Sequence, residues 1–113
     1  MKCHIETYGD VTILVPTCER LDVINYTSLR KTLDDSLPSI KDLFLDLKAV
    51  TFIDSMALGG LISIRKKIHA LGGKFCICGI TESLREIFEL VRLGSTIPLY
   101  KTRELAISET ENL

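Results

Sequence analysis

The sequence predicts an α/β fold: a mixed, mainly parallel sheet of about four to five strands, with an N-terminal hairpin and about four helices. Three observations carry that prediction. Short β-branched and apolar runs recur along the chain, and segments with helical spacing of apolar residues separate most of them. The first two runs are joined by only Gly9-Asp10, which implies antiparallel partners. The later runs are separated by whole helices, which implies parallel pairing with right-handed crossovers.

The first strand spans Lys2 to Thr7, with Cys3, Ile5 and Thr7 on one face and Lys2, His4 and Glu6 on the other. Val11 to Val15 returns as the second arm and ends at Pro16. Tyr26, Leu29, Leu33 and Leu37 then recur at intervals of three and four, the mark of one buried helix face, and Pro38 stops that helix. Leu43-Phe44-Leu45-Asp46-Leu47 reads as a strand buried on both faces, followed by Val50-Thr51-Phe52-Ile53.

A second helix runs from about Met56 to Leu71, with Leu61, Ile64, Ile68 and Leu71 inward and Gly72-Gly73 as its stop. The strand Lys74 to Ile80 follows. Thr81-Glu82-Ser83 opens a third helix with Leu84, Ile87, Phe88 and Val91 inward and Gly94 near its end. Pro98-Leu99-Tyr100 reads as a short edge strand, and Arg103 to about Glu111 as a final amphipathic helix.

A length of 113 residues suits a single domain spanning 1–113. Apolar residues make up 46% and charged residues 26%, the balance of an ordinary globular chain. The net charge of −1, from 14 basic and 15 acidic residues, argues against a nucleic-acid partner. The one basic cluster, Arg65-Lys66-Lys67 with His69 beyond it, reads as a solvated helix face. No signal peptide or membrane span is legible, so a soluble, cytoplasmic protein without direct membrane insertion is expected. Cys3, Cys18, Cys76 and Cys78 lack zinc-site spacing and read as reduced, small apolar residues.

The loops that cradle nucleotide phosphates are missing, as is a nucleophile elbow, and His4 and His69 have no nucleophile partner nearby in sequence. No catalytic residue, cofactor or metal is therefore expected, and a binding module is favoured over an enzyme. The informative segment is Phe52-Ile53-Asp54-Ser55-Met56-Ala57-Leu58-Gly59-Gly60, where an apolar strand passes through Asp-Ser directly into a helix. Asp54 or Ser55 is suited to cap that helix. The same helix start is suited to display by a sheet rim, where a partner can read it and where an added phosphate would be electrostatically favoured. Glycines at 59 and 60 inside a helix point to close packing.

This junction, the Asp46-Leu47 strand, the Gly72-Gly73-Lys74 turn and the Leu84-Arg85-Glu86-Ile87-Phe88 helix together resemble the STAS family. That family comprises bacterial anti-sigma factor antagonists and the tails of sulphate transporters, and the resemblance covers nearly the whole chain. It implies a STAS-type fold and a regulatory domain that switches protein partners. In that scheme the unphosphorylated domain binds a serine-kinase-like anti-sigma factor and frees the sigma factor, and phosphorylation breaks the complex. It also implies a partner-binding surface at Asp54, Ser55, Met56, Ala57 and Leu58. The family pattern at the junction is Asp-Ser-Ser/Thr-Gly, with the third residue accepting phosphate. Here Asp54 and Ser55 match, while Met56 stands at the phosphoacceptor position and Ala57 at the glycine. The usual switch cannot act on Met56, which leaves Ser55 as an alternative acceptor, an antagonist that phosphorylation does not turn off, or a module outside the sigma circuit. A second reading is a soluble accessory subunit of a lipid transporter, whose partner would be a transporter ATPase.

Overall fold

Gly9, at φ 60°, adopts the left-handed backbone that a two-residue loop requires, and the chain doubles back on itself there. The computed structural model describes residues 3–36 and 39–111. In order, the elements are β1 (Cys3–Tyr8), β2 (Val11–Pro16), β3 (Arg20–Leu21), α1 (Val23–Ser36), β4 (Asp42–Asp46), β5 (Phe52–Ile53), α2 (Ser55–Ala70), β6 (Phe75–Cys78), α3 (Glu82–Leu90) and α4 (Arg103–Glu111). A 3-10 turn at Leu93–Ser95 follows α3.

The main sheet has the order β1-β2-β4-β6. β1 is antiparallel to β2, with Tyr8 opposite Val11, and the β2–β4 and β4–β6 pairs are parallel. This is the mixed, mostly parallel α/β sheet that the spacing of strands and helices predicts. Its two faces are covered unequally. Leu14, Leu43, Leu45 and Ile77 point into a large core with Leu29 and Leu33 of α1, Leu61, Ile64 and Ile68 of α2, and Leu84 and Phe88 of α3. Val11, Ile13, Val15, Phe44, Cys76 and Cys78 point the other way and lie with Ala106 of α4, Ile107 and Tyr100 packing alongside. Two-residue alternation in β2, β4 and β6 thus supplies both cores from the same strands.

Several expectations are corrected. Leu71 is 62% exposed rather than inward, because α2 ends at Ala70 and Gly72, at φ 83°, turns the chain away. Val91 is half exposed because it is the C-cap of the nine-residue α3, past its last buried turn. Val50–Ile53 does not join the main sheet. Phe52–Ile53 pairs instead with Arg20–Leu21, a strand too short to show in the sequence, and the Arg20 guanidinium stacks 4.0 Å from the Phe52 ring centre. Pro98–Tyr100 contributes one parallel bridge, Ile77 to Leu99. Ile5 and Thr7 are both exposed on β1. Lys2, Leu37 and Pro38, which the sequence reading assigns to the first strand and the first helix end, lie outside the described residues.

The two helix glycines differ. A β-carbon at 60 would overlap the Tyr26 ring, whereas one at 59 would meet nothing, so only Gly60 is needed for the α1–α2 approach. At the other face, α4 is tied down by charge. The Asp46 carboxylate, 2% exposed, accepts from Arg103 Nε at 3.0 Å and from the Lys48 N–H at 3.1 Å. Arg103 also donates to both oxygens of Glu6, at 2.9 and 3.1 Å. That contact holds the Glu6 carboxyl below its usual range. Gly79, at φ 65°, closes β6 directly against Asp46, where a β-carbon would strike the carboxylate.

Gly59→Ala should stabilise the protein by up to about 1 kcal/mol, since it removes a helix glycine into open space. Gly60→Ala should destabilise it by about 1–3 kcal/mol through overpacking against Tyr26. Thermal melts that shift in the same direction would refute the packing described. Arg103→Met should cost on the order of 3 kcal/mol in urea unfolding, because it strands a buried carboxylate. Glu6→Gln, at the exposed end of the same network, should change stability far less.

Candidate functional site

The site is built by the small β3–β5 pair. Leu21 lies level with Ile53, so Asp22 and Asp54 leave the two strands side by side and start α1 and α2 together. The Asp54 N–H donates to Leu21 O at 3.3 Å, which fixes the loop. Asp54 is extended, with φ −91° and ψ 172°, and its Oδ1 accepts from the Ala57 N–H at 2.8 Å. Its other oxygen, Oδ2, accepts from the Val23 N–H of α1 at 3.0 Å. One carboxylate therefore satisfies an orphan donor on each of two helices, at the positive ends of both helix dipoles. Asp22 completes α1 by accepting from the Asn25 N–H at 2.9 Å.

Of the two capping candidates, Asp54 is the cap, and Ser55 is the first helical residue with an exposed side chain. Met56 is 60% exposed and Leu58 is half-buried. Ala57 is fully buried in the main core, so its side chain presents nothing to a partner; this corrects its inclusion in a contact surface. A methyl group is accommodated where the family pattern has glycine. The surface at this end is therefore made by Ser55, Met56 and Leu58, with Asp54 holding them in place.

Other apolar side chains not flagged by the sequence reading are exposed at neighbouring element ends. Val23 and Ile24 open α1, with Ile24 74% exposed. A shallow groove of about 320 Å³ runs from Ser55, Leu58 and Ile62 to Val91, Leu93 and Thr96. Arg92 stands at φ 55°, a left-handed conformation uncommon for a residue with a side chain, and it lines this groove. The sequence carried a partial signal: Ile24 and Leu90 fall outside the apolar spacing of their helices.

No cluster of metal-ligating side chains occurs among the described residues. All four cysteines are free thiols. Burial pushes the Cys76 thiol far up and the Cys78 thiol up to about 12, so both stay protonated and packed as small apolar groups. No helix of the described residues is long and apolar enough to cross a membrane.

Asp54→Asn should lower stability by about 1–2 kcal/mol, because an amide keeps one acceptor and turns N–H donors toward the other helix start. Chemical denaturation measures this, and unchanged stability would mean that the bridge between α1 and α2 contributes nothing.

The family model of the STAS domain matches residues 2–106. A Thermotoga maritima protein provisionally named an anti-sigma factor antagonist is 31% identical over 102 residues, covering 88% of this chain and 89% of that protein. An anti-sigma F factor antagonist of Paenibacillus polymyxa is 24% identical, covering 88% and 86%. A crystal structure of an anti-sigma factor antagonist from Mycobacterium paratuberculosis superposes with a TM-score of 0.83 at 24% identity, over 96% of this chain and 92% of that one. With the family model spanning nearly the whole described sequence, the chain belongs to the STAS domain family.

Proposed function

We propose that this protein is a cytoplasmic regulatory binding module of the anti-sigma factor antagonist type, which engages a serine-kinase-like anti-sigma factor and carries out no turnover of its own. The observation that supports this most is the start of α2. Asp54 fixes it between two helices, and exposed apolar side chains, Met56 and Ile24, stand where the two helices begin. Exposed apolar groups beside a rigid polar anchor form the kind of patch that protein partners bury. Relatives named as anti-sigma factor antagonists align with 88% of this chain.

The complex differs from that of a phosphorylation-switched antagonist in one respect. Met56 has no hydroxyl, so phosphate cannot be placed at that position, and its flexible thioether contributes apolar contact instead. Ser55, exposed one residue earlier, is the only hydroxyl in the Asp54–Leu58 segment and the remaining acceptor there. Binding that persists in the presence of the partner kinase and ATP is the signature of an antagonist that phosphorylation does not release.

Affinity purification of the tagged protein from its native host, followed by mass spectrometry, tests the reading. Recovery of a serine-kinase-like anti-sigma factor is expected, and recovery of a transporter ATPase with its permease would replace the reading with a transport subunit. Met56→Asp should weaken the recovered complex by about tenfold or more while leaving the melting temperature near that of the parent. Unchanged affinity would remove this helix start from the interface.

A further inference from the structure

We propose a second site: the groove between the C-terminal half of α2, β6 and the 94–100 loop binds a small organic anion, a carboxylate or phosphate borne on a flat apolar body. The groove is about 510 Å³, within the range of small-molecule sites. Arg65 and His69 of α2 and Lys74 before β6 line it. Ion pairs among the described residues engage Arg30, Lys67, Arg85 and Arg103, and none of the described carboxylates forms an ion pair with the side chains of Arg65, His69 or Lys74. Three basic side chains therefore line one concavity without an ion pair among the described residues, and the neighbouring Asp42 carboxylate is engaged by the Lys74 N–H at 2.8 Å.

The backbone adds a second, independent feature. Leu43 N–H donates to Lys74 O at 2.8 Å and Leu47 N–H to Cys78 O at 2.9 Å, so the even-numbered residues of β6 face β4. Phe75 and Ile77 consequently turn their amides to the outer edge. Ile77 is satisfied there, donating to Pro98 O at 3.0 Å and accepting from the Tyr100 N–H at 2.9 Å. One step back the loop offers Pro98, which has no N–H to give to Phe75 O. No described residue accepts from the Phe75 N–H. A backbone donor thus opens into the groove beside the basic side chains, where an anionic oxygen is the matching partner.

The rest of the lining selects the body of the ligand. The Tyr100 ring borders the groove while the Phe75 ring packs away into the main core, and the hydroxyls of Ser95 and Thr96 stand on its loop side. Flat apolar surface with a few polar groups suits an aromatic ring or a short acyl chain better than a bare ion. A single free edge amide is too little for an added strand, which excludes an extended peptide as the best fit.

Titration of the isotope-labelled protein with phenyl phosphate, benzoate and inorganic phosphate, followed by amide NMR, tests the proposal. Phenyl phosphate or benzoate should give saturable shifts centred on residues 73–76 and 94–96, and whichever binds tighter identifies the anion as phosphate or carboxylate. Inorganic phosphate should bind about tenfold more weakly than the better aromatic probe. The double variant Arg65→Gln/Lys74→Gln should weaken binding by about tenfold or more, with the melting temperature retained because neither side chain makes an ion pair among the described residues. Shifts that do not saturate, equal binding by bare phosphate, or unchanged affinity in the double variant would overturn the site. Failure here leaves the Met56 surface untouched, since that reading is tested by partner recovery.

Discussion

The Asp54 carboxylate is the constraint on which the functional end of this molecule depends. Its two oxygens take one N–H from each of two helices whose starts would otherwise hold unpaired donors next to each other. A serine or threonine cap can serve one helix start, but a planar carboxylate with two acceptors and a full negative charge serves both. The β3–β5 pair is needed for the same reason: two residues of pairing bring Asp54 level with Asp22. The surface beside Met56 is rigid because the backbone beneath it is bonded in three directions, to Leu21, Val23 and Ala57.

The sequence made the sheet legible because burial on both faces gives strands an uninterrupted apolar run, as in Leu43–Leu47 and Phe75–Cys78. It made α1 and α2 legible through three- and four-residue spacing. It hid what depends on a few contacts between distant segments. Arg20–Leu21 is too short for periodicity to register, so the separate pairing of Phe52–Ile53 with it left no signal in the sequence. Leu71 and Val91 continue their helices' apolar spacing, yet each falls one residue beyond the helix end, where the spacing no longer implies burial.

The candidate surface was legible in part for similar reasons. Asp-Ser at a strand-to-helix junction announces a helix start, and the choice between the two caps is made by geometry that sequence does not contain. Ala57 looked like a contact residue because of where it stands in the motif, whereas the helix phase turns it into the core. Ile24, which belongs to the same end of the molecule, is thirty residues from Asp54 in the chain and is brought there by the β3–β5 pair and the Asp54 bridge.

The second sheet face has a consequence for synthesis. Val11, Ile13 and Val15 leave the ribosome early, but the helix that covers them begins at Arg103. At bacterial-scale elongation rates that interval is on the order of ten seconds. For that time the apolar residues of β2 wait for the helix that covers them in the folded protein. The arrival of α4, with the Arg103 guanidinium reaching back to Asp46, covers that side of the sheet. A chain that stops before Arg103 therefore keeps an apolar sheet face that α4 would otherwise cover.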